Sequence, residues 1–228
     1  NRILLLIANA DLIAQWTELI EKYYSIPYVV CSKKEEWEGL MTEDNQNPFD
    51  QEAVIMSTYD FVSSQEETAA RISWDVIVFE EANVLSTGYQ EENKQAKALD
   101  RIAGTAFRLL LTATPIEKNI MDLYGLIWFI DKSVLPKPEM FLHRYLRKPE
   151  NYPELAERVS KFCFRTLRSH AKQYAKIPER ILITDEYQIS EQEQELYDVL
   201  EKYINQPEKK AFPQMNQYDL ALRLFSLQ

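Results

Sequence analysis

Two short strings carry the residue types that could do chemistry. Phe79-Glu80-Glu81-Ala82-Asn83 sets two carboxylates side by side after an apolar, β-branched run. Leu111-Thr112-Ala113-Thr114-Pro115, some thirty residues later, sets two hydroxyls after a second short run, Phe107–Leu111. A carboxylate at a strand end can hold Mg²⁺ directly or through water, and its neighbour can polarise an attacking water. Threonine hydroxyls on an adjacent strand end can sense a terminal phosphate or couple its loss to movement. Either string alone is better explained by capping or solvation of a strand end; together they describe the metal and water side of an NTPase site. Its phosphate side is not in the chain. Glycines occur only at Gly39, Gly88, Gly104 and Gly125, with gaps of 49, 16 and 21 residues. GxGxxG and GxxxxGK[ST] both need glycines within a few positions of one another. A self-contained dinucleotide fold or complete P-loop enzyme is therefore excluded.

The elements that must position these strings alternate. Arg2–Ala8, Tyr28–Cys31, Ala53–Ser57, Asp75–Phe79 and Phe107–Leu111 are short apolar runs of the kind buried on both faces of a sheet. Between them, Leu12, Ile13, Trp16, Leu19, Ile20 and Tyr23 recur at helical spacing, and Asn93–Ala103 predicts a helix stopped by Gly104. Asn9 and Asp11 can cap the first helix. Strands alternating with helices imply a parallel sheet covered on both faces, with ligands outside the C-terminal strand ends. Both strings fall at those ends. Beyond Pro115 the spacing predicts helices over Ile120–Ile130 and Pro138–Leu146, a basic helix ended by Pro178, and a late strand Arg180–Tyr187. Ser190 with Glu193 forms a capping box opening a helix to about Ile204, and Asp219–Leu227 is a last helix. The expected division is 1–131, 132–180 and 181–228.

Charge divides the same way. The net value is −10 over 228 residues, but residues 1–131 carry −12, residues 132–180 carry +7 and residues 181–228 carry −5. A general nucleic-acid coat is excluded. Arg158, Lys161, Arg165, Arg168, Lys172 and Lys176 share one face if the basic segment is a continuous helix. That stripe suits either a solvated helix face or a track of phosphates. Cys31 and Cys163 form neither a CxxC pair nor a disulfide framework, so a reduced, cytoplasmic protein is expected. The longest purely aliphatic run, Ile3–Ile7, is far short of the roughly 18 residues that span a membrane. His143 and His170 lack metal-ligand spacing. The chain starts at Asn1 inside an expected strand, so it is expected to be a piece of a longer protein.

The ordered set of blocks resembles the first motor lobe of the Swi/Snf-type family, helicase-like ATPases of superfamily two. LLLIANADLIAQWTELIEKYY is similar to that family's second nucleic-acid-facing motif, and VIMSTYDFVSS to the one that follows. WDVIVFEEANVLS resembles its Asp-Glu-x-His box, and RLLLTATPIEKNIMDLYGLIWFI its coupling motif. Phe141, Tyr145, Pro149, Arg165–Arg168 and Ile177-Pro178 are like its linker between lobes, and ISEQEQELYDVL the stretch after it. The resemblance implies an α/β, RecA-like parallel sheet with helices on both faces and a helical protrusion. It implies a parent that uses ATP and Mg²⁺ to translocate along double-stranded DNA, partnered by a second RecA-like lobe and acting on a DNA-bound protein complex. Carried over by position, Glu80 takes the metal role, Glu81 activates water, Thr112 and Thr114 couple hydrolysis to DNA contact, and Asn83 lies beside the nucleotide. Asn9, Ala10, Thr58, Tyr59, Arg165 and Arg168 fall where the family meets nucleic acid.

Departures accompany the matches. Glu80 stands where the family has Asp, and Asn83 stands for its His, keeping a hydrogen-bonding side chain that carries no proton in catalysis. The phosphate-binding loop would precede Asn1 and the second lobe would follow Gln228, so the piece alone is expected to be inactive. One alternative is a degenerate lobe serving as a nucleic-acid-binding or protein-binding scaffold. Another is an unrelated acidic interaction module, which requires that Glu81, Thr112 and Thr114 not share a cleft.

Overall fold

The computed structural model describes residues 1–43, 45–166, 181–185 and 187–204. The chain divides into two compact units, Asn1–Arg165 and Thr166–Gln228.

The first unit is built on five parallel strands: β1 (Ile3–Ile7), β2 (Tyr28–Val30), β3 (Val54–Thr58), β4 (Val76–Phe79) and β5 (Phe107–Leu110), in the order β2-β3-β1-β4-β5. Strand alternation sends successive side chains to opposite faces. Along β1, Leu4 and Leu6 join a core with Ile55, Ile77, Phe79, Leu99, Leu126 and Phe129, while Leu5 and Ile7 join Ile20, Val54 and Met56 on the other face. The first core is closed by α3 (Tyr59–Ser64), α5 (Lys94–Ala103) and α6 (Ile120–Ile130), the second by α1 (Ile13–Tyr23). Gly104 ends α5 at a φ of +45°, the stop that its position predicts. Two short helices, α2 (Lys34–Leu40) and α4 (Glu66–Ala69), complete this part.

One strand departs from expectation. β5 was placed among runs buried on both faces, yet Phe107 is 67% and Leu109 43% exposed. It is an edge strand, two positions from β1, and the core under α1 extends only as far as Val78 of β4.

Helices α7 (Pro138–Tyr145) and α8 (Tyr152–Val159) pack on α6, where Phe141, Tyr145, Leu155 and Val159 share a cluster with Met121, Tyr124 and Ile127. The expected division at 131/132 thus falls inside a continuous core. Glu154 ties the pair together, accepting from Arg144 Nη2 at 2.6 Å, Arg158 Nε at 2.9 Å and the Tyr145 hydroxyl at 3.1 Å. The continuous basic helix is corrected: α8 stops at Val159, and residues 163–166 have no regular structure. Its apolar face runs out there, because Phe162 and Phe164 are exposed and nothing buried holds a further turn. Arg158 is therefore helical while Lys161 and Arg165 are not; Arg168, Lys172 and Lys176 lie outside the described residues.

In the second unit, α9 (Glu191–Ile204) starts at the expected capping box, with Ser190 N–H donating to Glu193 Oε2 at 2.8 Å and Glu193 N–H to Ser190 Oγ at 3.3 Å. The strand expected over Arg180–Tyr187 is absent from its described part: residues 181–185 and 187 pair with nothing as strand, and Ile181–Ile183 are exposed. Apolar β-branched residues extend readily, but a strand exists only where a neighbour completes its ladder. The helix expected over Asp219–Leu227 lies outside the described residues.

Candidate active site

The two carboxylates and the two threonines meet at the C-terminal edge of the sheet because β4 and β5 are neighbours in register, Phe79 opposite Leu110. Backbone hydrogen bonds lock their exits. Glu80 N–H donates to the Leu6 carbonyl, Leu111 N–H to Phe79 and Ala82 N–H to Leu111, each at 2.9 Å. Glu80, Glu81, Leu110, Leu111, Thr112 and Ala113 then line one open cleft of about 420 Å³, together with Trp16 and Phe164. Trp16 thus does more than anchor packing: it is half-buried beside α1's core and also walls this cleft.

Glu80 is half-buried and reaches back across the sheet to β1, where its Oε2 accepts from the Ala8 N–H at 3.1 Å. The methylene that distinguishes it from Asp is used in that reach. Oε1 makes no hydrogen bond among the described residues. Glu81 is exposed and sits in the left-handed region, φ 48° and ψ 52°, opening a 3₁₀ turn over Ala82–Leu85. A non-glycine residue held there costs on the order of 1–3 kcal/mol, strain that persists only where the surroundings enforce it. The enforcement is visible: Ala82 and Leu85 are buried, and α6 lies against the turn at Gly125, where an added Cβ would stand 1.6 Å from the Ser86 carbonyl oxygen. Glycine at 125 is what allows that approach.

Thr112 Oγ1 accepts from the Thr114 N–H at 3.1 Å, and the Thr114 hydroxyl donates to Glu117 Oε1 at 3.0 Å. Asn83 donates through Nδ2 to the same Glu117 oxygen at 2.8 Å. Sequence reasoning singled out the string around Glu117 but not this carboxylate, which lies 34 residues from the amide it meets. The loop is set by Asp122, whose Oδ2 accepts from the N–H groups of Glu117, Lys118 and Asn119 at 2.9, 2.6 and 3.1 Å. Burial alone would raise the Asp122 carboxyl; those backbone donors and the Lys118 charge outweigh it and hold it below the ordinary range.

The residues expected on nucleic acid divide. Asn9 and Ala10 are exposed just past β1, and Asn9 Oδ1 accepts from the Asp11 N–H at 3.0 Å, capping a 3₁₀ turn over Ala10–Leu12; α1 itself follows from Leu12 without a side-chain cap, so neither Asn9 nor Asp11 caps it as expected. Thr58 is half-buried, and its Oγ1 caps α3 by accepting from the Phe61 N–H at 3.2 Å. Tyr59, expected at the DNA backbone, is only 5% exposed, and its hydroxyl donates to the Glu80 carbonyl at 2.8 Å. It braces the strand end from inside and offers no surface. Burial, with the charges of Glu80 and Glu81 behind it, pushes its phenol well above the ordinary range. Arg165 is exposed, and Arg168 lies outside the described residues.

The donor set at the cleft suits Mg²⁺ held by one carboxylate, with the remaining positions left to water and phosphate oxygens. Among the described residues no three His, Cys, Asp or Glu side chains gather as a metal cage, and no helix is long and apolar enough to cross a membrane.

Known proteins resemble this chain in sequence and in fold. The "Uncharacterized ATP-dependent helicase YqhH" of Bacillus subtilis is 26% identical over 90% of this chain. The "Uncharacterized ATP-dependent helicase MG018" of Mycoplasma genitalium is 27% identical over 85%, and "Protein CHROMATIN REMODELING 4" of Arabidopsis thaliana is 29% identical over 53%. The chain spans 35%, 18% and 5% of those relatives' lengths, respectively. The Sulfolobus solfataricus SWI2/SNF2 ATPase core, solved with double-stranded DNA, shares the fold with a TM-score of 0.58 at 18% identity, covering 89% of this chain and 41% of that one. The RecA-like α/β architecture is thereby shared with that core. The model of the SNF2-related domain matches residues 2–225, so the chain belongs to the SNF2-related domain family.

Proposed function

We propose that this chain is most of the first motor lobe of an ATP-hydrolysing, DNA-translocating remodelling enzyme, and that it supplies the metal and water side of the ATP site. The observation that carries the reading is that Glu80, Glu81 and Thr112 line one cleft at the C-terminal ends of adjacent strands, with Thr114 hydrogen-bonded to Thr112. An unrelated interaction module would have no reason to gather them. Relatives named as ATP-dependent helicases support the same reading.

In this account Glu80 would hold Mg²⁺, which when bound with ATP neutralises charge developing on the phosphates. The tie from Ala8 N–H fixes one oxygen of Glu80 and leaves the other for that task. Glu81, exposed at the cleft and fixed in its left-handed turn, takes the proton from the attacking water. Asn83 carries no proton; it hydrogen-bonds within the site. Thr112 and Thr114 join the cleft to the loop before α6 and report the state of the nucleotide to it. The phosphate cradle and an opposing arginine come from other segments of the protein, so these 228 residues alone turn over no ATP. Asn9, Ala10, Thr58, Arg165 and Arg168 face double-stranded DNA, a second RecA-like lobe completes the motor, and the enzyme works in the cytoplasm on a DNA-bound protein complex.

A second reading keeps the fold and loses the chemistry. Glu80 in place of Asp and Asn83 in place of His favour a lobe that serves as a binding scaffold. DNA-stimulated ATPase of the full-length protein separates the two. Turnover in the native protein supports the motor. No turnover, either in the native protein or after combined Glu80→Asp and Asn83→His, supports the scaffold.

A further inference from the structure

We propose that Glu117 is a positioning residue of the ATPase site: a latch that holds the carboxylate-bearing turn after β4 to the threonine loop after β5. The inference rests on the motor reading above. One oxygen, Glu117 Oε1, accepts from Asn83 Nδ2 at 2.8 Å and from the Thr114 hydroxyl at 3.0 Å, so each loop donates to the same atom.

The Asn83 amide is committed to this contact. Its Nδ2 faces the Glu117 carboxylate, an arrangement that fixes the amide's orientation, since the reversed amide would point oxygen at oxygen. Its Oδ1 is buried and has no hydrogen-bond partner. Glu117 is therefore the only group among the described residues that holds the Asn83 side chain. Asn83 in turn sits two residues beyond Glu81, inside the turn that Glu81's left-handed conformation opens. Releasing Asn83 removes the side-chain tie on that turn, leaving only the buried Ala82 and Leu85 and the approach of α6 to hold it, and so loosens the strained residue whose carboxylate must face water.

Glu117 is itself presented firmly. Its backbone N–H is one of three pinned by Asp122 Oδ2, and Asn119, two residues on, caps α6 with its side chain accepting from Met121 N–H at 2.8 Å. The loop is thus a rigid extension of the α6 N-terminus, while the latch bonds are solvent-exposed and individually weak. A rigid mount with a weak contact is what a reversible latch between two loops requires. Movement of α6's N-terminus would open or close it.

The test uses three substitutions. Glu117→Ala removes the one acceptor that both bonds share; Glu117→Gln keeps an amide oxygen that accepts from both donors; Glu81→Gln is the control for the underlying reading. In this chain, amide hydrogen exchange over residues 82–86 should quicken about fivefold or more in Glu117→Ala and stay near native in Glu117→Gln. In the full-length protein, Glu117→Ala should lower the DNA-stimulated kcat about fivefold or more with KM for ATP little changed, and Glu117→Gln should restore it. Unaltered exchange at 82–86 in Glu117→Ala overturns the latch. So does native kcat in Glu117→Ala while Glu81→Gln abolishes turnover; the motor reading then stands. If Glu81→Gln leaves turnover intact, the motor reading itself fails.

Discussion

Gly125→Ala is expected to destabilise the lobe, against the sign that helix propensity gives. Gly125 lies mid-helix in α6, where replacement by alanine ordinarily gains about 1 kcal/mol. Here the new Cβ would stand 1.6 Å from the Ser86 carbonyl oxygen and 2.4 Å from its carbonyl carbon. A tolerable contact is no closer than 3.0 Å, so backbone must retreat by about 1.4 Å. Ser86 has little room for this, because Leu85 before it is buried and Gly88 beyond it packs against Ala96 and Phe129. Overpacking of this kind costs about 1–3 kcal/mol and more when backbone is the obstacle. With that cost at the top of the range or above it, because backbone must move, the net loss after the propensity gain of about 1 kcal/mol is about 2 kcal/mol, or a fall of roughly 1 M in the urea midpoint at an m-value of about 2 kcal/mol/M. Equilibrium urea unfolding followed by tryptophan fluorescence reads it directly, Trp128 being on α6. A midpoint unchanged or raised would refute the close approach between α6 and the carboxylate-bearing turn.

Other outcomes follow from the same geometry. Asp122→Ala removes the capping box of α6 and the acceptor for three loop N–H groups, and should cost about 1–2 kcal/mol at pH 7. The folded-state Asp122 carboxyl lies below its unfolded value of about 3.9, so its stabilisation is present above that pH and lost as pH falls through the folded value. The gap between variant and native midpoints should therefore narrow below about pH 4. Cys31 is fully buried and burial pushes its thiol up to about 12; Cys163 is exposed, although partial burial raises its thiol as well. A thiol reagent at pH 8 should modify Cys163 in the native chain and Cys31 only on unfolding; rapid labelling of both would contradict the assigned core. If Arg165 and Arg168 face phosphates, reversing both to Glu should weaken DNA binding by the full-length protein and flatten its salt dependence, and an unchanged affinity would remove them from that face.

What the chain discloses depends on how local the cause is. β1 to β4, α1, α5 and α6 were legible because apolar runs and helical spacing act over a few residues, and their ends moved by only a residue or so. The edge status of β5 was not read from the sequence, although Arg108 interrupts the apolar run Phe107–Leu110; the exposure of Phe107 and Leu109 follows from the strand's place in the sheet order. The basic helix failed for the opposite reason. A regular spacing of charges supplies no burial, and α8 ends where Phe162 and Phe164 cease to be covered. At the site, Glu80, Glu81 and Thr112 were placed together by two strings at strand ends, since parallel neighbours carry their exits to one edge. Glu117 was missed because its partner is 34 residues away, and Tyr59 was misread because a motif position does not tell which way a ring turns. In the sequence Gly125 is only one of four glycines, inside an expected helix; its meaning lies in Ser86, which packing alone brings near.

The central claim, that Glu81 is the base of an ATP site formed at the ends of β4 and β5, is tested most directly by Glu81→Gln in the full-length protein. DNA-stimulated turnover and ATP affinity should be measured on the same preparation. The account predicts a fall in kcat of about 10²–10⁴-fold with ATP still bound near its native affinity, because the amide cannot take the water's proton yet leaves Glu80 and the threonine loop in place. Native turnover in that variant would contradict it.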